Sequence, residues 1–230
     1  MDPRVLRLVD KAIEQARRKR IRSESGYVPP ATGYAYARFV GYYEMGKHEE
    51  EFEGRRRITD KVNLVFELSG PNHQPRVIED GTVIPHRVTV QEALSGEHWS
   101  NFDKLFTMMN EAHGGFAVHM AELLGRPFIV EVFHRKSKDK VYANLKGPLG
   151  YNVQATGAVK VDEAATEIKA FIWDVADKAM WDDIYIPGYY EEEVKDEDGN
   201  VVTPKRSKNV IQERIMSAVN WPELSARLGI

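Results

Sequence analysis

Cysteine is absent from the 230 residues, which removes disulfides, thiolate zinc centres, iron–sulfur clusters and cysteine nucleophiles. No run of about 18 apolar residues occurs, so a membrane-spanning helix is excluded. The first 22 residues are charged throughout and lack the apolar stretch of a secretory signal. Also missing are a G-x-S-x-G elbow, a Walker loop and a Rossmann fingerprint, so nucleotide hydrolysis and hydride transfer lose their usual support. The seven histidines, at 48, 73, 86, 98, 113, 119 and 134, form neither HExxH nor a paired metal spacing. His113 and His119 lie six apart across two glycines and read as loop or helix-cap residues. The expectation is a cytoplasmic protein with no cofactor, no metal site and no catalytic activity.

What is present is charge, and it is segregated. The overall balance is only -3. Residues 1–22 nevertheless hold eight Lys/Arg against three carboxylates, and residues 133–146 hold five against Asp139. Residues 189–198 reverse the sign, with six carboxylates against Lys195. Basic segments in a mildly acidic chain create locally attractive surface for a polyanion.

Periodicity divides the chain into a basic N-terminal helix and linker (1–32), a core (33–150) and a C-terminal extension (151–230). In the first segment Leu6, Val9, Ile13 and Ala16 share one helical face, and Pro29-Pro30 mark the linker. In 34–44, Tyr34, Tyr36, Arg38, Val40 and Tyr42 alternate with Ala35, Ala37, Phe39, Gly41 and Tyr43, as in a strand. Residues 45–54 read as a charged turn. A second strand over 55–68 puts Ile58, Val62, Leu64, Phe66 and Leu68 on its dry side. A loop at 69–86 with room for a small hairpin leads to a third strand at 86–90. Helices over 99–111 and 117–124 follow, then a hairpin of 127–134 with 141–145. Five strands with a helix between the third and fourth is the order of the OB fold, a small Greek-key barrel. The fold class is therefore mainly β with helices (α+β). In the extension, 168–173 reads as a strand, Asp198-Gly199-Asn200 as the tip of an acidic hairpin, and 207–219 as a helix. The four tryptophans, 99, 173, 181 and 221, read as core or interface anchors.

Gripping an unpaired nucleic-acid strand takes cations for phosphates and flat side chains for bases, used together. The wet faces of three strands supply both. Candidate phosphate contacts are Arg38, Arg55, Arg57, Lys61, Arg135, Lys136 and Lys146. Candidate stacking rings are Tyr34, Tyr36, Tyr42 and Tyr142, with Asn63 and Asn144 beside them. Two other classes stay open. A tyrosine- and arginine-rich face also anchors protein partners, which makes an interaction or virion module on the same scaffold the runner-up. Glu49-Glu50-Glu51, Glu53, Asp182-Asp183 and the pairs Glu167-x-Lys169 and Glu193-x-Lys195 leave a metal nuclease third; motifs so short carry little weight.

Residues 37–54 (ARFVGYYEMGKHEEEFEG), 60–68 (DKVNLVFEL), 123–132 (LLGRPFIVEV) and 142–145 (YANL) resemble the small OB-fold proteins of tailed bacteriophages. These are described as single-stranded-DNA-binding proteins of replication and recombination. The resemblance spans roughly residues 33–150 and the region of Trp173 and Trp181. It implies a viral protein in the infected bacterial cytoplasm that coats unpaired DNA without sequence preference and works beside phage or host replication proteins. One departure stands out: many such proteins end in an acidic tail, whereas here the acidic run is internal, at 191–198. The basic N-terminal segment suits a DNA-binding arm, a homodimer contact or a docking segment.

Overall fold

The computed structural model describes residues 29–77, 81–137, 140–191, 194–195, 201–202 and 205–230. The expected N-terminal helix, Lys138 and the Asp198-Gly199-Asn200 turn lie outside the described residues. The architecture is mainly β with a few short helices. Its main sheet is antiparallel except for one three-residue parallel pairing, and it does not close.

Two long strands organise it. Strand β1 (Gly33–Phe52) pairs from Tyr36 to Phe52 with the whole of β2 (Arg55–Ser69). The stretch expected to be a charged turn is therefore ladder almost to its end. The reversal is confined to Glu53-Gly54, both at positive φ (52° and 74°), the signature of a two-residue type I′ hairpin. Beyond Glu44 the pair projects as a ribbon with Ile58 exposed at its side, against the expected dry placement. Strand β2 also pairs with β5 (His86–Ala93), after the small hairpin of β3 (Arg76–Val77) and β4 (Val83–Ile84).

Helix α1 (Asn101–Glu111) starts at Ser100, whose Oγ accepts from the Asp103 N–H at 3.0 Å. Its buried Leu105 and Met109, one turn apart, face the main core of the sheet. The second expected helix is a short 3₁₀ turn (Met120–Leu123) capped by His119, so that histidine is a cap residue. Strand β6 (Pro127–Ser137) then pairs with the first half of β1 and with β7 (Lys140–Asn144). Strands β8 (Lys146–Gly147) and β9 (Gly150–Tyr151) form a small side hairpin, after which β10 (Val153–Gln154) returns to β6. The sheet order is β10-β6-β1-β2-β5, with β7 on the far end of β6. The closed five-stranded barrel expected from the element order is corrected here: among the described residues no ladder joins β5 to β7.

Two irregularities in β1 decide which side chains point where. Val40 and Met45 are extra residues in its pairing with β2, between Phe39↔Phe66 and Gly41↔Val65, and between Glu44↔Val62 and Gly46↔Lys61. Each bulge inverts the alternation beyond it. Ala35, Ala37 and Phe39 point into the main core, and after the first bulge it is Tyr42 that does so. Tyr43 and Met45 point outward, under the C-terminal extension. That extension lays β11 (Lys169–Phe171) parallel to β1 at residues 41–43 and adds α2 (Lys178–Asp183), α3 (Val210–Met216) and α4 (Trp221–Leu228). Between β11 and α3 the chain passes through paired short strands, β12 (Tyr189–Glu191) with β15 (Lys205–Ser207) and β13 (Val194–Lys195) with β14 (Val201–Val202). Phe171, Trp181, Ile215, Leu224 and Leu228 make the outer core. Trp173 lies against Gly46, where a positive φ and the indole leave no room for a Cβ. Buried carboxylates pin the extension: Glu44 accepts from Tyr42 Oη and the Trp173 N–H, and Glu67 from the Ala165 and Thr166 N–H groups.

Candidate nucleic-acid interface

Where the sheet stays open, the two facing edges make a trough. Strand β5 alternates buried Val88 and Val90 with outward Thr89 and Gln91, and the half-buried Glu92 follows on the side of the valines. Across from it stand Arg135 and Ser137 of β6 and Tyr142 and Asn144 of β7, with Lys146 and Tyr151 of the side hairpin at one end. The cleft has a volume of about 550 Å³. Arg135 and Tyr142 are ladder partners, which places a cation and a ring side by side on one face.

Gln91 also borders a second, adjoining hollow of about 310 Å³, in which Lys61 and Asn63 of β2 meet His48 of β1 and Arg214 of α3. Asn63 is the ladder partner of Gln91. The two hollows share Gln91 and form one path across β2, β5 and β7, floored by amides and hydroxyls and flanked by cations and by the carboxylates of Glu49, Glu50 and Glu92.

Glu92 spans the seam in place of a ladder. Its Oε1 accepts from Tyr151 Oη at 2.6 Å and Lys146 Nζ at 3.2 Å, and its Oε2 from Asn101 Nδ2 at 3.3 Å. Burial, reinforced by Glu92, pushes the Tyr151 phenol far up, so it remains a donor. Arg135 and Lys136 are exposed and, among the described residues, have no carboxylate within ion-pairing distance. Tyr142 is 44% exposed.

Six of the residues singled out from the sequence therefore share this path: Lys61, Asn63, Arg135, Tyr142, Asn144 and Lys146. Lys136, exposed and next to Arg135 in β6, pairs with Val141 and lines neither hollow. Two others are corrected. Tyr42 is fully buried because the Val40 bulge turns it inward; its hydroxyl donates to Glu44 Oε1 at 2.8 Å, and burial pushes its pKa far up. Arg38 is 9% exposed and spends its guanidinium on the carbonyls of Gly125 (2.7 Å), Val161 (3.0 Å) and Asp162 (2.9 Å), with Glu163 alongside. It clasps two loops to β1 and offers nothing to a phosphate. Arg55 and Arg57 sit on the exposed ribbon, where Glu50 takes both Arg57 and Lys61 as partners. Tyr34 and Tyr36 line a different hollow, described below. Trp99 is 72% exposed, against its expected role as an anchor, whereas Trp181 is buried with Trp221 at 5.0 Å between centroids.

Sequence reasoning missed Thr89, Gln91, Tyr151 and Arg214. The first two were legible as the polar half of an alternating strand. Arg214 reaches the path only because α3 folds back over β1. Among the described residues no three His, Asp or Glu side chains are grouped so as to hold a metal, and no helix is long and apolar enough to cross a membrane. In comparisons with known proteins, no family model, curated protein or solved structure matches the chain.

Proposed function

We propose that this protein binds single-stranded DNA without sequence preference and without a catalytic step, on an OB-type scaffold left open between β5 and β7. The phage origin and the role in replication and recombination implied by the sequence resemblance belong to the same proposal. One observation carries it: cations, a ring and uncharged hydrogen-bonding side chains from five strands, β2, β5, β6, β7 and β8, converge on a single path. Lys61, Arg135, Lys136 and Lys146 would meet phosphates, Tyr142 would take a base on its face, and Asn63, Gln91 and Asn144 would touch base edges or sugars. Amides that both donate and accept suit any base, which fits binding without sequence preference.

Fluorescence titration with oligo-dT tests this. Four phosphate contacts give a salt slope of about -3, so affinity should fall roughly 50-fold between about 50 and 200 mM salt. Absence of binding even at the lower salt would overturn the reading. A gel with labelled single-stranded and duplex DNA, with and without magnesium, separates the alternatives: magnesium-dependent degradation would mean a nuclease. The protein-docking alternative draws on the exposed Tyr185, Ile186, Tyr189 and Tyr190 of the extension; it predicts that neither DNA shifts.

A further inference from the structure

A second hollow lies at the other end of β6 from the trough. Ile129 borders it and Arg135 borders the trough; six strand residues, about 20 Å, separate them. The hollow has a volume of about 530 Å³ and is lined by Tyr34 and Tyr36 of β1, the turn at 69–73 after β2, Ile129 and Gln154. Among the described residues, no lysine, arginine, aspartate or glutamate lines it. It is therefore unlike the trough in the property that matters for phosphate.

Both rings are held in place. The Tyr36 ring rests on Gly70, where a Cβ would stand 3.1 Å from its Cδ2 and where φ is +104°, so that only glycine suits the seat. Tyr34 is 59% exposed, yet its Oη accepts from Asn152 Nδ2 at 3.0 Å. Asn152 also donates to Glu131 at 2.9 Å and accepts from Gln154 Nε2 at 2.9 Å. The turn is anchored too: the His73 N–H donates to the Gly70 carbonyl at 3.0 Å, and the buried His73 ring bonds the Ala31 carbonyl at 2.9 Å. Side chains at i and i+2 of a strand stand about 6.7 Å apart, about twice the 3.4 Å spacing of stacked bases.

We propose that this hollow is a nucleobase site. It takes the flat face of an unpaired base against Tyr34 and Tyr36, with Asn72 and the free oxygen of Gln154 at the base edge, and leaves the sugar-phosphate in solvent. Uncharged, amide-bearing walls beside two fixed rings match a neutral heteroaromatic ring that both donates and accepts hydrogen bonds. Among the described residues no cation stands there for a phosphate. The inference goes beyond the trough reading and does not require it, because a base can dock here whether or not a strand lies between β5 and β7.

Saturation-transfer NMR on the full chain with the four deoxynucleosides, at low and high salt and with tyrosinamide as a control, tests it. The expected result is transfer to the base protons of at least one nucleoside, unchanged by salt. Tyr36→Ala should weaken it about tenfold, Tyr36→Phe should keep it, and Arg135→Ala should leave it intact. If Tyr36→Ala fails to fold, Tyr34→Ala, at an exposed ring, serves the same purpose. No nucleoside signal, a signal that survives both tyrosine deletions, or equal transfer to tyrosinamide would overturn the proposal. The two readings fail separately. Oligo-dT binding with no nucleoside signal removes the hollow and keeps the trough, and nucleoside signal without oligo-dT binding does the reverse.

Discussion

The ribbon beyond the main sheet and the trough between β5 and β7 both gather cations, yet they present them in opposite states. On the ribbon, Arg55, Arg56 and Arg57 run opposite Phe52, Glu51 and Glu50 in the ladder, and Glu50 holds both Arg57 and Lys61. In the trough, Arg135 pairs across the ladder with a tyrosine, and among the described residues only Lys146 has a carboxylate, the seam-spanning Glu92. A count of Lys and Arg therefore says little about affinity for a polyanion. What matters is whether the fold has already supplied each cation with a partner.

The largest effect should come from reversing the trough. Arg135→Glu with Lys136→Glu is expected to weaken oligo-dT binding about 100-fold, since each charged hydrogen bond lost is worth about 1.5–3 kcal/mol. Titration at fixed low salt measures it, and a loss below threefold would mean the strand runs elsewhere. Releasing the ribbon cations should act in the opposite direction and less strongly. Glu50→Gln removes the carboxylate that holds Lys61, and affinity should rise about threefold, the scale of one exposed ion pair. An unchanged affinity would place Lys61 off the path.

Acid should act on the border between the two regions. His48 is buried, its Nε2 is bonded to the Met45 carbonyl at 3.0 Å, and burial holds its pKa below the ordinary 6.5. The unfolded chain then takes up a proton that the folded one refuses. Stability is fully present above pH 6.5 and falls as the pH drops through the lowered pKa. Melting curves between pH 7.5 and pH 5 should show this decline, and His48→Gln should flatten it; parallel curves for the two proteins would refute the assignment. Glu50 behaves as the companion case further down. Lys61, and then Arg57, hold its carboxyl below the ordinary value, so its contribution is lost only at more acid pH. The smallest effect belongs to Arg57→Ala, where less than a twofold change in DNA affinity is expected, because its partner on the ribbon already occupies it.

Much of this arrangement was legible from residue order. Alternation located β1, β2 and β5, and apolar spacing located α1, whose start at the Ser100 cap came only with the structure. The polar half of β7 identified Tyr142 and Asn144. The errors have identifiable causes. A strict period of two through residues 34–43 puts Tyr42 with Tyr36, and the insertion of Val40 that breaks this parity leaves no mark in composition. Arg38 looked like a surface cation because its partners, the carbonyls of residues 125, 161 and 162, are distant in sequence and any residue type supplies a carbonyl. The charged stretch 45–54 looked like a turn because, apart from the buried Met45 and His48, its described side chains reach water and need no apolar alternation.

Side-chain periodicity alone determined that the chain makes long strands with one dry face and that a basic hairpin follows the fourth of them, because those choices depend on neighbours two to four residues apart. Tertiary structure decided the rest: which tyrosines face water, which cations keep a free charge, and that the sheet stops short of closing. Each of those depends on a bulge, a distant carbonyl or a facing edge, and contacts between residues far apart in the chain are set by packing, which no local pattern encodes.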